Sequence, residues 1–110
     1  RKRNLDFHAL FPAIPVGEIL VDDYNCAMQK EILVQGRLYI SERNVCFYAN
    51  IFGWVTNLVI PFSELLAVEK RNTAFVIPNA IQLASTQGRY FFTSFLFRDS
   101  AYTNLVDTWK

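Results

Sequence analysis

From Asn44 to Ser63 the chain carries no charged side chain, a stretch long enough to cross a bilayer as a helix. Its own residues forbid that course. Asn50 and Asn57 bring amides that lipid cannot satisfy, Gly53 weakens a helix and Pro61 breaks one. The aromatic and β-branched residues flanking Gly53 fit two strands, Val45 to Asn50 and Val55 to Phe62, joined by a tight turn. That turn, Asn50-Ile51-Phe52-Gly53-Trp54, places three large apolar side chains where a polar loop belongs.

The same pattern extends outward from this hairpin. Runs at Ile19–Met28, Ile32–Ser41, Leu65–Lys70, Ala80–Ser85 and Tyr90–Phe95 bring the count to about seven strands. Short polar connections separate most of them, and only Arg71–Asn79 reads as a long one. In Q-G-R-L-Y-I-S, Leu38 and Ile40 share a face opposite Arg37 and Tyr39. After the last strand the period changes. Ala101, Leu105, Val106 and Trp109 recur at helical spacing behind Asp99 or Ser100 as N-cap. At the other end, Asp6 caps a helical turn that lays Phe7, Leu10 and Phe11 on the body before Pro12 and Pro15 stop it. The sum is an all-β fold with a C-terminal helix: a strongly bent sandwich or partly open barrel, one end closed by that helix.

A chain of 110 residues, 52% of them hydrophobic, makes one domain that buries roughly two-thirds of its unfolded surface. A net charge of +1 gives no general attraction to nucleic acid. The basic run Arg1, Lys2, Arg3 reads as part of a linker over residues 1–6, with the domain at 7–110. Lys110 falls inside the last helix with no capping glycine, so an excised domain with a truncated helix is expected. Cys26 and Cys46 sit in apolar runs without C-x-x-C spacing, as buried free thiols of a reducing, cytosolic compartment would.

Catalytic chemistry finds no constellation. His8 is the single histidine and lies in the N-terminal helical turn, where no Ser or Cys pairs with it on sequence grounds. Asp22 and Asp23 are adjacent on a strand and so face opposite ways. The lone Q-G-R is not a phosphate loop. No cofactor, no metal site and no enzyme activity are expected.

Several segments together resemble a known family. F-H-A-L-F, P-V-G-E-I-L, D-Y-N-C-A-M-Q-K-E-I-L-V-Q-G-R-L-Y-I-S and C-F-Y-A-N-I-F-G-W-V-T are similar to the GRAM domain, a variant of the pleckstrin-homology fold. The likeness continues through E-K-R-N-T-A-F-V-I-P-N-A-I-Q and F-F-T-S-F-x-x-R-D, covering about Phe7 to Trp109. Within the family it looks most like the GRAM domains of sterol transporters anchored in the endoplasmic reticulum. The resemblance implies a membrane-reading module on the cytosolic face of that organelle, at contacts with the plasma membrane or other organelles. It also implies a parent protein with a separate StART-like sterol domain and a transmembrane helix. The family's phosphatase branch uses a C-x5-R loop, and neither Cys26 nor Cys46 begins one.

The pleckstrin-homology likeness further implies that the first, third and sixth strand connections share an open end. They carry Lys30, Phe52 with Trp54, and Arg89, with Arg37, Lys70 and Arg71 as candidate additions. Turn geometry puts Phe52 at the tip and folds Ile51 and Trp54 back toward the barrel rim, while Trp54 is also a candidate interfacial anchor. The expected ligand is an anionic lipid such as phosphatidylserine. The competing expectation is a protein-interaction module that binds a contact-site membrane protein through a strand edge or the apolar tip. A second apolar segment, Ala74–Pro78, is expected to pack under the barrel.

Overall fold

The computed structural model describes residues 2–110. In order they form α1 (Lys2–Leu10), β1 (Leu20–Gln29), β2 (Leu33–Ser41), β3 (Asn44–Ile51), β4 (Trp54–Pro61), a short 3-10 turn (Phe62–Glu64), β5 (Leu65–Thr73), β6 (Ile77–Ser85), β7 (Gly88–Thr93) and α2 (Arg98–Trp109). All neighbouring strands are antiparallel, in the order β4-β3-β2-β1-β7-β6-β5. The sheet curls into a half-barrel whose end strands, β4 and β5, do not pair with each other.

Alternation along the strands aims Cys26, Leu38, Ile40, Phe47, Ile60, Ile81, Leu83 and Phe92 into one core. Phe47 from one half of the sheet meets Phe92 from the other, ring centroids 5.5 Å apart. Ala101 and Leu105 of α2 close that core and are fully buried, so the helical spacing of the sequence does cover an apolar end. The helix is capped two residues before Asp99, the nearer of the two expected caps. Its N-cap is Phe97, without a side-chain bond, and Asp99 lies in the first turn. Arg98 explains the shift, because its guanidinium spans the carbonyls of Arg71 at 2.8 Å and Ala80 at 3.2 Å.

The N-terminal element is longer than a single turn. Asp6 lies inside α1, not at its cap, and the helix takes in five of the six residues expected as linker; Arg1 lies outside the described residues. Arg3 pairs with Asp23 at 2.9 Å, and Asn4 Oδ1 accepts the Leu20 N–H at 2.8 Å. Phe7, Phe11 and Ile14 then cover the outer face of β2 and β3 as a second cluster with Tyr39 and Cys46. Tyr39 is therefore buried on the face where alternation alone leaves it exposed. On the inner face, Gly36 of the Q-G-R segment lets β3 approach closely: a Cβ there would lie 2.4 Å from the Tyr48 carbonyl oxygen and 2.7 Å from the Phe47 ring.

The expected long connection from Arg71 to Asn79 is absent. β5 and β6 extend toward each other, and the link is a tight turn closed by Val76 N–H to the Thr73 carbonyl at 3.2 Å. β7 stops at Thr93 because Ser94 adopts a φ of 65°, which turns the chain so that Phe95 N–H reaches Asn79.

Candidate functional site

The uncharged run folds as an unbroken hairpin. β3 and β4 pair residue by residue from Asn44↔Pro61 to Ile51↔Trp54, leaving Phe52 and Gly53 as a two-residue turn. Both take positive φ, 53° and 92°, which matches the twist of the strands. Asn50 braces the turn by accepting the Gly53 N–H on Oδ1 at 2.8 Å. The consequence is a rigid apolar tip. Phe52 is 101% exposed and Trp54 83%, so Trp54 does not fold back onto the rim as turn geometry alone suggests.

Three connections meet at this end of the half-barrel. Lys30 belongs to the turn after β1, and it forms a wall common to two clefts. One, about 730 Å³, opens between that turn and the tip, lined by Ile32, Leu33, Ile51, Trp54 and Val55. The other, about 550 Å³, lies between the inner side of β4 and the start of β7, where Arg89 and Tyr90 line it. Lys30 and Arg89 are both exposed, and among the described residues neither is held in an ion pair. Glu31 sits beside Lys30 on the apolar cleft and tempers its charge.

The other proposed cations do not join this rim. Arg37 lies within β2, bonded to Asn25 and 3.3 Å from Asp23. Lys70 pairs with Asp99 at 3.4 Å and lies 5.0 Å from the Tyr102 ring centroid, while Arg71 pairs with Glu69. These three brace the sheet and the start of α2. Nearby, the segment expected under the barrel is instead a second exposed tip: Phe75 is 97% and Val76 76% exposed, with Leu96 and Phe97 also in solvent. The cations around it are already committed to carboxylates or carbonyls, which separates it from the open end.

The titratable groups named from sequence have structural places. His8 Nε2 donates to the Glu18 carbonyl at 2.6 Å, tying α1 to the chain before β1. Burial pushes the Cys26 thiol up to about 12 and raises Cys46 as well, so both stay protonated and unreactive.

With this geometry in hand, the model of the GRAM domain family matches residues 5–110. The chain belongs to that family. An uncharacterized membrane protein of Schizosaccharomyces pombe is 50% identical to this GRAM domain over 109 residues, covering 99% of the chain and 14% of that protein. Human protein Aster-A is 46% identical over 110 residues, 100% of the chain and 15% of its own length. The membrane-anchored lipid-binding protein LAM5 of Saccharomyces cerevisiae is 37% identical over 109 residues, 99% of the chain and 16% of its own. The GRAM domain thus spans only 14 to 16% of the length of these relatives.

Solved structures agree on the architecture. The C-terminal domain of an unknown protein from Leishmania infantum matches the GRAM domain with a TM-score of 0.84 at 30% identity, covering 97% of both chains. The Vps36 N-terminal PH domain matches with a TM-score of 0.60 at 10% identity, over 86% of this chain and 79% of that one. At that identity the likeness shows the fold, which is pleckstrin-homology-like.

Sequence reasoning missed the apolar cleft beside the tip of this GRAM domain. Ile32 and Leu33 are 71% and 52% exposed although both read as members of a half-buried strand. The signal was present in Q-K-E-I-L, where two large aliphatic residues follow a charged turn and one of them must face outward.

Proposed function

We propose that the open end of this GRAM domain binds the anionic face of a membrane, with phosphatidylserine-type headgroups as its ligand. One observation carries the reading: a fully exposed Phe52 and a largely exposed Trp54 share their end of the barrel with Lys30 and Arg89, neither of them in an ion pair among the described residues. Insertion of each aromatic gives about 1.5 to 3 kcal/mol, and each cation near an anionic leaflet adds about 1. The sum is comparable to a single lipid chain, which holds a protein only marginally and reversibly. Such a contact suits a second attachment on an already anchored protein, where effective concentration makes weak binding sufficient.

The names of the relatives support that setting, since one is a membrane-anchored lipid-binding protein and another a membrane protein. We place the domain as the targeting module of an intracellular sterol transfer protein at contacts of the endoplasmic reticulum, its chemistry being recognition and not catalysis.

Flotation with neutral vesicles, and with neutral vesicles doped with phosphatidylserine, tests this. The domain floats with the doped vesicles only. Phe52→Ala or Trp54→Ala weakens partitioning about tenfold or more, and Lys30→Ala/Arg89→Ala about thirtyfold at low salt. The double change loses its effect as salt is raised. Absence of binding to every vesicle, even with many copies tethered together, would transfer the exposed tip to a protein partner in a contact-site membrane.

A further inference from the structure

The two end strands of the half-barrel are treated very differently. β5 carries Glu69, Lys70 and Arg71, its ladder with β6 shifts register twice, and Lys70 and Arg71 are bound to the start of α2. Charge, bulges and a covering element are the ordinary means of keeping a sheet edge from pairing with another chain. β4 has neither charge nor bulge, and its tie to another element is a single hydrogen bond, Asn57 Nδ2 donating to the Leu10 carbonyl at 3.0 Å. It runs eight residues without a charge or a register shift, pairs on one side with β3, and has its only proline at the last position.

We infer that β4 is a pairing edge for a second copy of this chain, joined antiparallel about a two-fold axis so that two half-barrels share one continuous sheet. The side chains of β4 fit this occupant. Thr56, Leu58 and Ile60 point toward the core, where Ile60 is buried, and Val55, Asn57 and Val59 alternate on the exposed face. A two-fold normal to the sheet keeps each residue on its own face, so the register must centre on a residue. Centred on Asn57, it sets Val55 opposite Val59 of the second copy, twice, and Asn57 opposite its own copy.

Those are two β-branched cross-strand pairs around an Asn57 pair that keeps its Oδ1 acceptors open while each Nδ2 donates to the Leu10 carbonyl at 3.0 Å, and no charge meets its like across the axis. The same operation centred on the middle of β5 would set Glu69 opposite its own copy, a like-charge pair, and would run across both register shifts. An unrelated strand would need main-chain complementarity alone, whereas this one is complementary to itself.

Sedimentation equilibrium of the 110-residue chain over a range of concentrations reads the association directly. The weight-average mass rises from one chain to two, Val59→Lys holds it at one, and Leu66→Lys on the protected edge leaves the rise unchanged. Because a lysine in β4 can disturb folding, Asn57→Cys supplies an independent measure. Cys26 and Cys46 are buried, so the new thiol is exposed alone and lies on the axis. Mild oxidation then gives a disulfide-linked dimer, and Leu66→Cys under the same conditions gives none. A single-chain mass at every soluble concentration would overturn the inference and leave the edge to a strand of a different protein. Equal cross-linking of the two cysteine variants, or a dimer that survives in folded Val59→Lys, overturns it as well.

Discussion

Glu18 is buried as a whole residue, at 7% exposure. Its Oε2 accepts hydrogen bonds from Ser41 Oγ at 2.5 Å, Asn44 Nδ2 at 2.8 Å and the Arg43 N–H at 3.0 Å, so it pins the turn between β2 and β3. Burial pushes its carboxyl up, but the bonds from Ser41, Asn44 and Arg43, with the Arg43 charge, outweigh that and hold it below the ordinary 4.5. A carboxylate depressed in the folded state binds fewer protons there than when unfolded. Its stabilisation is therefore complete above pH 4.5 and is lost as pH falls through the lowered value. Glu18→Gln should cost about 1.5 to 3 kcal/mol at pH 7, measured by urea unfolding. The gap between native and variant should close in acid, and a gap constant from pH 7 to pH 3 would disprove the charge's role. None of this was legible beforehand, because the partners lie far along the chain from a glutamate that reads as an ordinary strand start. The exposed Phe52 was legible, since a two-residue turn beside Gly53 leaves its first side chain nowhere to go.

Both exposed tips belong to hairpins whose central residues take positive φ, and in neither is the residue pair the one that turn chemistry favours. At the first, Phe52 stands where asparagine or glycine is usual; at the second, Ala74 and Phe75 hold φ of 49° and 69° with no glycine at all. A left-handed conformation costs an ordinary residue about 1 to 2 kcal/mol, and neither phenylalanine recovers it by burial. Phe52→Gly and Phe75→Gly should each raise stability by about 1 kcal/mol in urea unfolding. Only the first should also weaken binding to phosphatidylserine vesicles. Stabilisation by both changes with equal loss of binding would mean that the second tip also touches the membrane. At this scale the elements themselves were readable from periodicity, including α2 and the uncharged hairpin. The extension of β5 and β6 was not. K-R-N-T-A-F-V-I-P lacks the glycine that announces a tight turn, so strain concealed the hairpin from composition.

The molecule as a whole is a sheet with two edges and one open end, and those features constrain each other. The all-β barrel with its helical plug followed from strand count and the final amphipathic segment. Which strands would be edges did not, because the order β4-β3-β2-β1-β7-β6-β5 depends on β1 meeting β7 across a long sequence separation. The strand with no charges turns out to be one edge, and the Phe52 turn leads straight into it. An antiparallel β4 pair would thus place the two tips beyond opposite ends of paired strands roughly 27 Å long, aimed away from each other. Such a dimer cannot set both tips in one flat bilayer; it is divalent for two opposed surfaces. The native domain should then cluster phosphatidylserine vesicles, seen as rising turbidity or vesicle size by light scattering. Val59→Lys should bind the same vesicles by flotation without clustering them, and Phe52→Gly should weaken both properties. Clustering by Val59→Lys at the native level would show that tip opposition through β4 is not how the domain brings surfaces together. Loss of flotation in that variant would instead place β4 itself within the membrane contact.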